Sequence, residues 1–180
     1  MTPNLLAKTS TYLCGHMQYA NGQGWREHVR NHLEPLNIKC FDPYDKPFMK
    51  DVEEGDAIRL KFKTQMENNQ YDEVEKNMRE IRIFDLNLVD RSDFIIAHLI
   101  PNVASWGSAE ELTVANRAKK PTFISIEGGK SKCPLWLLGM FPHKYIYNSI
   151  DDIITTIKSI DSGKIEIDVK RWRLLKPDYR

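Results

Sequence analysis

The sequence is poor in the features that mark a metal protein, a disulfide scaffold or a membrane protein. Its three cysteines, Cys14, Cys40 and Cys133, are an odd number without CxxC spacing, which argues against both a disulfide framework and a zinc site. No apolar run approaches the ~18 residues that cross a bilayer. Lys and Arg total 26 against 25 Asp and Glu, a net charge of +1, so no global field draws the chain to nucleic acid or an anionic membrane. Residues 1–10 lack the charged-then-apolar pattern of a secretory leader, and a soluble cytoplasmic protein is expected. The histidines are scattered; His28 and His32 share an i, i+4 face but no third ligand is evident. Cys133 has no histidine partner set by spacing. The run from Glu127 through Gly128, Gly129 and Lys130 to Lys132 lacks the spacing of a phosphate-binding P-loop and reads as a mobile, basic strand-to-helix loop.

What is present is alternation. Short β-branched or aromatic runs at 9–14, 38–41, 94–99, 122–126 and 145–147 read as buried strands. Helical patterns lie between them at 25–33, about 71–89, 108–119 and 150–160. Such βαβ repetition implies an α/β, flavodoxin-like three-layer sandwich around a five-stranded, mainly parallel sheet. Ligands of such sheets bind at the carboxyl ends of the strands, so the loops beginning at Gly15, Asp42, Ile100 and Glu127 are the ones to watch. A single domain over 1–180 is expected, with its core at about 9–160 and a tail from 161. The polar segment 45–70 reads as an excursion over the active face. In the tail, Ile165, Ile167 and Val169 alternate before a basic end, as an edge strand or an oligomer arm would.

Two carboxylates fall where solvent is not expected. In the 71–89 helix, Val74, Met78, Ile81, Leu88 and Val89 define a buried stripe, and Asp85 falls within it. A carboxylate there must be paired, hydrogen-bonded or protonated. Pairing with an arginine such as Arg82 is one account; a neutral acid able to protonate a leaving base is the other. Further on, Glu111 shares a helical face with Ser108, Leu112, Ala115 and Ala118, while Glu110 is rotated about 100° toward water. Ser108-x-x-Glu111 is also a capping box, which accounts for both residues without chemistry. The small residues Gly107, Ser108 and Ala109 leave room for a ligand at that helix start.

Together these segments resemble the nucleoside 2-deoxyribosyltransferase family and its relatives, the 2'-deoxynucleoside 5'-phosphate N-hydrolases. Tyr12-Leu13-Cys14-Gly15 is similar to the family's first strand, Tyr-Phe-x-Gly. Asp85-Leu86-Asn87 followed by Ser92-Asp93 resembles the Asp-Leu-x…(Ala/Asn)-Asp run before the third strand, whose first Asp assists departure of the base. Gly107-x-x-x-Glu111-Leu112-x-x-Ala115 matches the run whose Glu is the nucleophile. The stretch from Pro134-Leu135-Trp136 to Tyr147 resembles the closing segment before the last strand. Thr113 stands where the family has Gly, a change expected to tighten packing. Ser105, six residues before Glu111, stands where the transferases usually carry Asp and the monophosphate hydrolases Ser, which leans toward a 5'-phosphate. The basic residue of the hydrolases' first loop is missing, with Arg26 and His16 as possible substitutes. Where a neighbouring transferase subunit lends an Asn, this chain offers Trp136.

The resemblance implies cleavage or exchange of an N-glycosidic bond by double displacement. Glu111 would be the nucleophile, Asp85 the acid assisting the base, and Tyr12 the group orienting Glu111. Gly15, His16, Asp42, Ser105, Trp106, Gly107 and Ser108 would contact substrate, with Trp106, Tyr19 or Tyr44 stacking on the base. For Asp42, which precedes Pro43, a turn is the competing account. No cofactor and no metal are implied. The partners implied are a nucleoside or nucleotide, a free base or water, and a second copy of the chain in a homodimer or larger homo-oligomer. Two other readings stand beside this one: a sensor of nucleotide or NAD-derived ligands that turns nothing over, and an NAD-cleaving glycohydrolase.

Overall fold

The computed structural model describes residues 4–17, 22–45, 56–103 and 105–165, with 56–59 described by backbone alone. Five strands, β1 (Ser10–Gly15), β2 (Lys39–Phe41), β3 (Phe94–Leu99), β4 (Thr122–Ile126) and β5 (Ile146–Tyr147), form one sheet in the order β2-β1-β3-β4-β5. Every pairing is parallel. Among the described residues six α-helices accompany it: α1 (Gly24–Leu33), α2 (Asp56–Glu67), α3 (Tyr71–Arg91), α4 (Trp106–Arg117), α5 (Leu135–Met140) and α6 (Ile150–Asp161). This is the flavodoxin-like arrangement expected from the alternation. The order reverses between β1 and β3, and that switch point opens a crevice at their carboxyl ends.

Strand alternation divides the sheet's side chains between two cores. Leu13, Phe94, Ile96 and Phe123 point toward Val29 and Leu33 of α1 and Ile153 and Ile157 of α6. Tyr12, Cys14, Ile95, Ala97, Ile124 and Ile126 point the other way, toward Leu88 and Val89 of α3 and Leu112 and Ala115 of α4. Each fully buried aliphatic side chain stabilises the fold by roughly 1.5–3 kcal/mol.

Several expectations change. The 45–70 segment contains α2, packed against α3. Its pattern hides it: of its described apolar side chains only Phe62 is buried, while Leu60 and Met66 are exposed. Residues 46–55 of that segment lie outside the described residues. α5 is a helix the sequence reading lacked, and α4 starts two residues earlier than position 108. The Glu127–Lys132 loop carries hydrogen bonds of its own. Its end forms a 3-10 turn (Lys130–Lys132), the Lys130 amide donates to Asn148 Oδ1 at 3.0 Å, and Lys130 Nζ donates to the His143 carbonyl. Of the alternating tail only Ile165 is described; Ile167, Val169 and the basic end lie outside.

Asp93, part of the run before β3, accepts hydrogen bonds from the Ser10 amide and hydroxyl at 2.7 and 3.0 Å. It therefore ties the start of β1 to β3, at the end of the sheet away from the crevice.

Candidate active site

The site begins with β1. Tyr12 and Cys14 are two residues apart, so phenol and thiol leave the strand on the same face, toward α4. On α4, Ser108, Glu111, Leu112 and Ala115 form the buried side. The two faces meet at Glu111, only 8% exposed, whose Oε1 accepts a 2.9 Å hydrogen bond from the Tyr12 hydroxyl. Burial pushes the Tyr12 phenol well above its ordinary value, and the negative fields of Glu111 and Asp85 push it further. Tyr12 is thus a fixed donor at neutral pH. Asp85 lies on the core-facing side of α3, 9% exposed.

The capping box is not formed. Ser105, not Ser108, caps α4: its Oγ accepts from the Ser108 amide at 3.4 Å and donates to Ser108 Oγ at 2.7 Å. With the cap one turn earlier, Glu111 sits in the second turn with no capping duty. Nor does Arg82 pair with Asp85. Its guanidinium forms a two-pronged ion pair with Glu110, linking α3 to α4.

Between those helices lies a cleft of about 470 Å³ whose walls include Ile81, Asp85, Leu86, Trp106, Gly107 and Glu111. The Arg82–Glu110 pair stands at its rim. Trp106 opens α4 at 87% exposure. Gly107 has open space where a side chain would start. Both carboxylates therefore line one cleft beside an exposed indole. A second cleft, of about 260 Å³, lies across the first turn of α4 and takes in His16, Ser105, Ser108, Thr113 and Trp136.

The remaining sequence-predicted positions divide. Gly15 lines neither cleft: a Cβ there would stand 2.7 Å from the His98 carbonyl and 3.0 Å from Trp25 Cζ2. Close backbone approach accounts for that glycine. Asp42 is buried, 3.6 Å from Arg26 Nε, and accepts from the Tyr44 amide at 3.0 Å, as an Asx turn does. Tyr44 donates to the Met17 carbonyl at 2.8 Å. Tyr19 lies outside the described residues. His16 is buried, and that burial lowers its pKa, with the nearby His98 and Arg26 adding to the effect. A neutral imidazole is a poor substitute for a phosphate-binding cation. Arg26 is fully buried and committed elsewhere: it donates to the carbonyls of Leu13, Gly15, His16 and Gly22. Thr113, expected to tighten packing, is exposed and donates to the Ala109 carbonyl at 2.8 Å.

Three features escaped the sequence reading. Arg26 looks like an ordinary charged position of an amphipathic helix, and only the converging carbonyls of the β1–α1 turn reveal its role. The Arg82–Glu110 pair spans 28 residues and leaves no local pattern. The 3.9 Å approach of the buried Cys14 thiol to the Ser108 carbonyl had a signal, since strand alternation already set Cys14 on the Tyr12 face. Among the described residues no cluster of three or more His, Cys, Asp or Glu side chains is arranged to hold a metal ion.

No protein-family model and no curated protein matches the sequence. Solved structures do match the fold. A 2-deoxyribosyltransferase from the psychrotolerant bacterium Bacillus psychrosaccharolyticus superposes with a TM-score of 0.58 at 15% identity, over 81% of this chain and 90% of that one. A conserved protein from Enterococcus faecalis V583 gives 0.53 at 15% identity, over 84% and 98%. The CMP N-glycosidase BcmB from Clostridium botulinum gives 0.44 at 15% identity, over 83% and 98%. At these identities the likeness of the Bacillus and Enterococcus structures establishes the shared fold alone.

Proposed function

We propose that this protein cleaves or exchanges the N-glycosidic bond of a nucleoside or nucleoside 5'-monophosphate, with Glu111 as nucleophile. The observation that carries the reading is the 2.9 Å bond from Tyr12 to a buried Glu111 that shares its cleft with Asp85. An oriented carboxylate, a second carboxylate and an exposed aromatic wall make up the equipment for displacement at an anomeric carbon. The transferase activity of the first of these structural neighbours agrees with it.

In the first step a Glu111 oxygen attacks C1' on the side opposite the base. The C1'–O bond forms as the C1'–N bond breaks, and its electron pair leaves with the base. Asp85, directly or through a water it holds, gives the base its proton. In the second step a nitrogen of another base, or water, attacks C1' and releases Glu111 as carboxylate. The incoming nucleophile gives up a proton, which restores Asp85. Two inversions leave the anomeric configuration unchanged. Trp106 offers its face to the base. For a monophosphate, Ser105 at the start of α4 is the suited contact, its hydroxyl turning from Ser108 Oγ to a phosphate that reaches across from the carboxylate cleft.

The test is a base-release screen with common nucleosides, their 5'-monophosphates and NAD, with and without an acceptor base, run beside Glu111→Ala. Release from monophosphates without acceptor, lost in the variant, establishes a nucleotide N-glycosidase. Exchange only in the presence of acceptor makes the protein a transferase. No release from any donor, with nucleotide binding intact in both proteins, overturns the catalytic reading.

A further inference from the structure

The reaction proposed above uses the two carboxylates and the indole of the α3/α4 cleft but not the ion pair at its rim. Arg82 and Asp85 are three residues apart on α3 and so stand on one helical face. Both line the cleft, together with Trp106, Glu110 and Glu111. Glu110 holds the Arg82 guanidinium by one edge: Nε donates to Oε2 at 2.8 Å and Nη2 donates to Oε1. The other edge, made of Nη1 and the second N–H of Nη2, stays outside that pair. A planar guanidinium fixed by one edge presents the other in a set direction, at little further loss of side-chain freedom. The Arg82 side chain is 54% exposed, within reach of a ligand in the cleft.

What the second edge meets follows from where the base lies. C1' is at Glu111 and the base nitrogen that takes the proton is at Asp85, so the base edge runs along α3. There Arg82 is the polar side chain one turn from Asp85. On a purine the nitrogen is N7, and the group beside it on that edge is the one at C6: an oxygen acceptor in guanine, an amino donor in adenine. A guanidinium has only donors. It pairs with the oxygen and is opposed by the amino group.

We infer that Arg82, held by Glu110, is a specificity-determining residue that selects a 6-oxopurine base, hypoxanthine or guanine, over adenine. Its outer edge donates to the C6 oxygen while Asp85 serves N7 on the same base. The inference deepens the N-glycosidic reading and takes the placement of the base from it, whereas the choice of oxo over amino needs no turnover. Glu110 is the positioning residue in this arrangement, since it touches the guanidinium and not the base.

Hypoxanthine and adenine differ at C6 in the required way, and as free bases they are bound without being turned over. Calorimetric titration of wild type should give hypoxanthine a roughly tenfold or greater advantage over adenine. Arg82→Met, at an exposed position, should bring the two affinities within about twofold of each other, chiefly by weakening hypoxanthine. Glu110→Ala, which leaves Arg82 in place but unanchored, should fall between the two. Equal affinities or an adenine preference in wild type, no binding of hypoxanthine, or a preference unmoved in Arg82→Met overturns the inference. An oxo preference lost in Arg82→Met, in a protein that releases no base from any nucleoside, keeps the inference and removes the reaction. Base release with no oxo preference does the reverse.

Discussion

On the α1/α6 side of the sheet, Leu13, Phe94, Ile96 and Phe123 meet Val29, Leu33, Ile153 and Ile157 in contacts between hydrocarbon groups. On the α3/α4 side the same strands carry Ile95, Ala97 and Ile124, but Tyr12 and Cys14 replace hydrocarbon with donors, and Glu111 and Asp85 are buried nearby. A buried carboxylate costs free energy even when hydrogen-bonded, so the second face gives up stability that the first face retains. Alternation along β1 makes the division possible: Leu13 serves one core while its neighbours on either side serve the site. The comparison teaches where to look for chemistry in such a sheet. The face whose burial is energetically wasteful is the one with a use for it.

The sharpest way to break the comparison is Glu111→Ala. It should lower base release by about a thousandfold or more, since the nucleophile is gone. Stability by chemical denaturation should stay level or rise, because an expensive buried charge is removed. A large fall in stability would mean that Glu111 is structural and that the two faces do not differ as argued. The opposite variant is Ile157→Ala on the α6 side, which should cost about 2–5 kcal/mol through lost transfer energy and a cavity. Base release per folded molecule should remain unchanged. Lost activity in folded protein would show that the apolar core transmits strain to the site.

Arg26→Met tests a charge that is buried for structure instead of chemistry. It would leave the Leu13, Gly15, His16 and Gly22 carbonyls without their donor and the Asp42 carboxylate without its nearer cation. A loss of roughly 3 kcal/mol in the denaturation free energy is expected. A stability loss below about 1 kcal/mol would show that water replaces the guanidinium freely and that the β1–α1 turn does not depend on it.

How much of this was legible depends on the range of the interaction. Strands came through because they are short β-branched or aromatic runs, and helices because their apolar residues repeat at a period of 3.6. Helix α2 did not, because of its described apolar side chains only Phe62 is buried and the others lie in solvent. The burial of Asp85 and Glu111 was readable from the faces they occupy. Tyr12 as the group that orients Glu111 came through the family resemblance alone, since no local spacing links residues 99 positions apart, and the Ser105 cap, which wins over the Ser108 box by one helical turn, did not come through. The separation of Ser105 and His16 from the carboxylates into a different cleft is a matter of which side of α4 each faces, and local spacing does not encode it.

The smallest effect expected is that of Tyr12→Phe, which bears on how the polar face is held together. The ring and its packing are kept, so stability should change by about 1 kcal/mol or less. The lost hydroxyl removes one donor that favours the charged form of Glu111, so kcat/KM should fall roughly tenfold. The acid limb of the profile should move to higher pH. The sign on the alkaline side follows from the raised phenol: burial, then Glu111 and Asp85, keep Tyr12 protonated beyond its ordinary value of about 10. Wild type should therefore show no alkaline loss of base release at that ordinary value. An alkaline limb there, absent from Tyr12→Phe, would make Tyr12 a titrating acid in the reaction instead of a fixed donor. In that case the proton assigned to Asp85 would have to be reassigned.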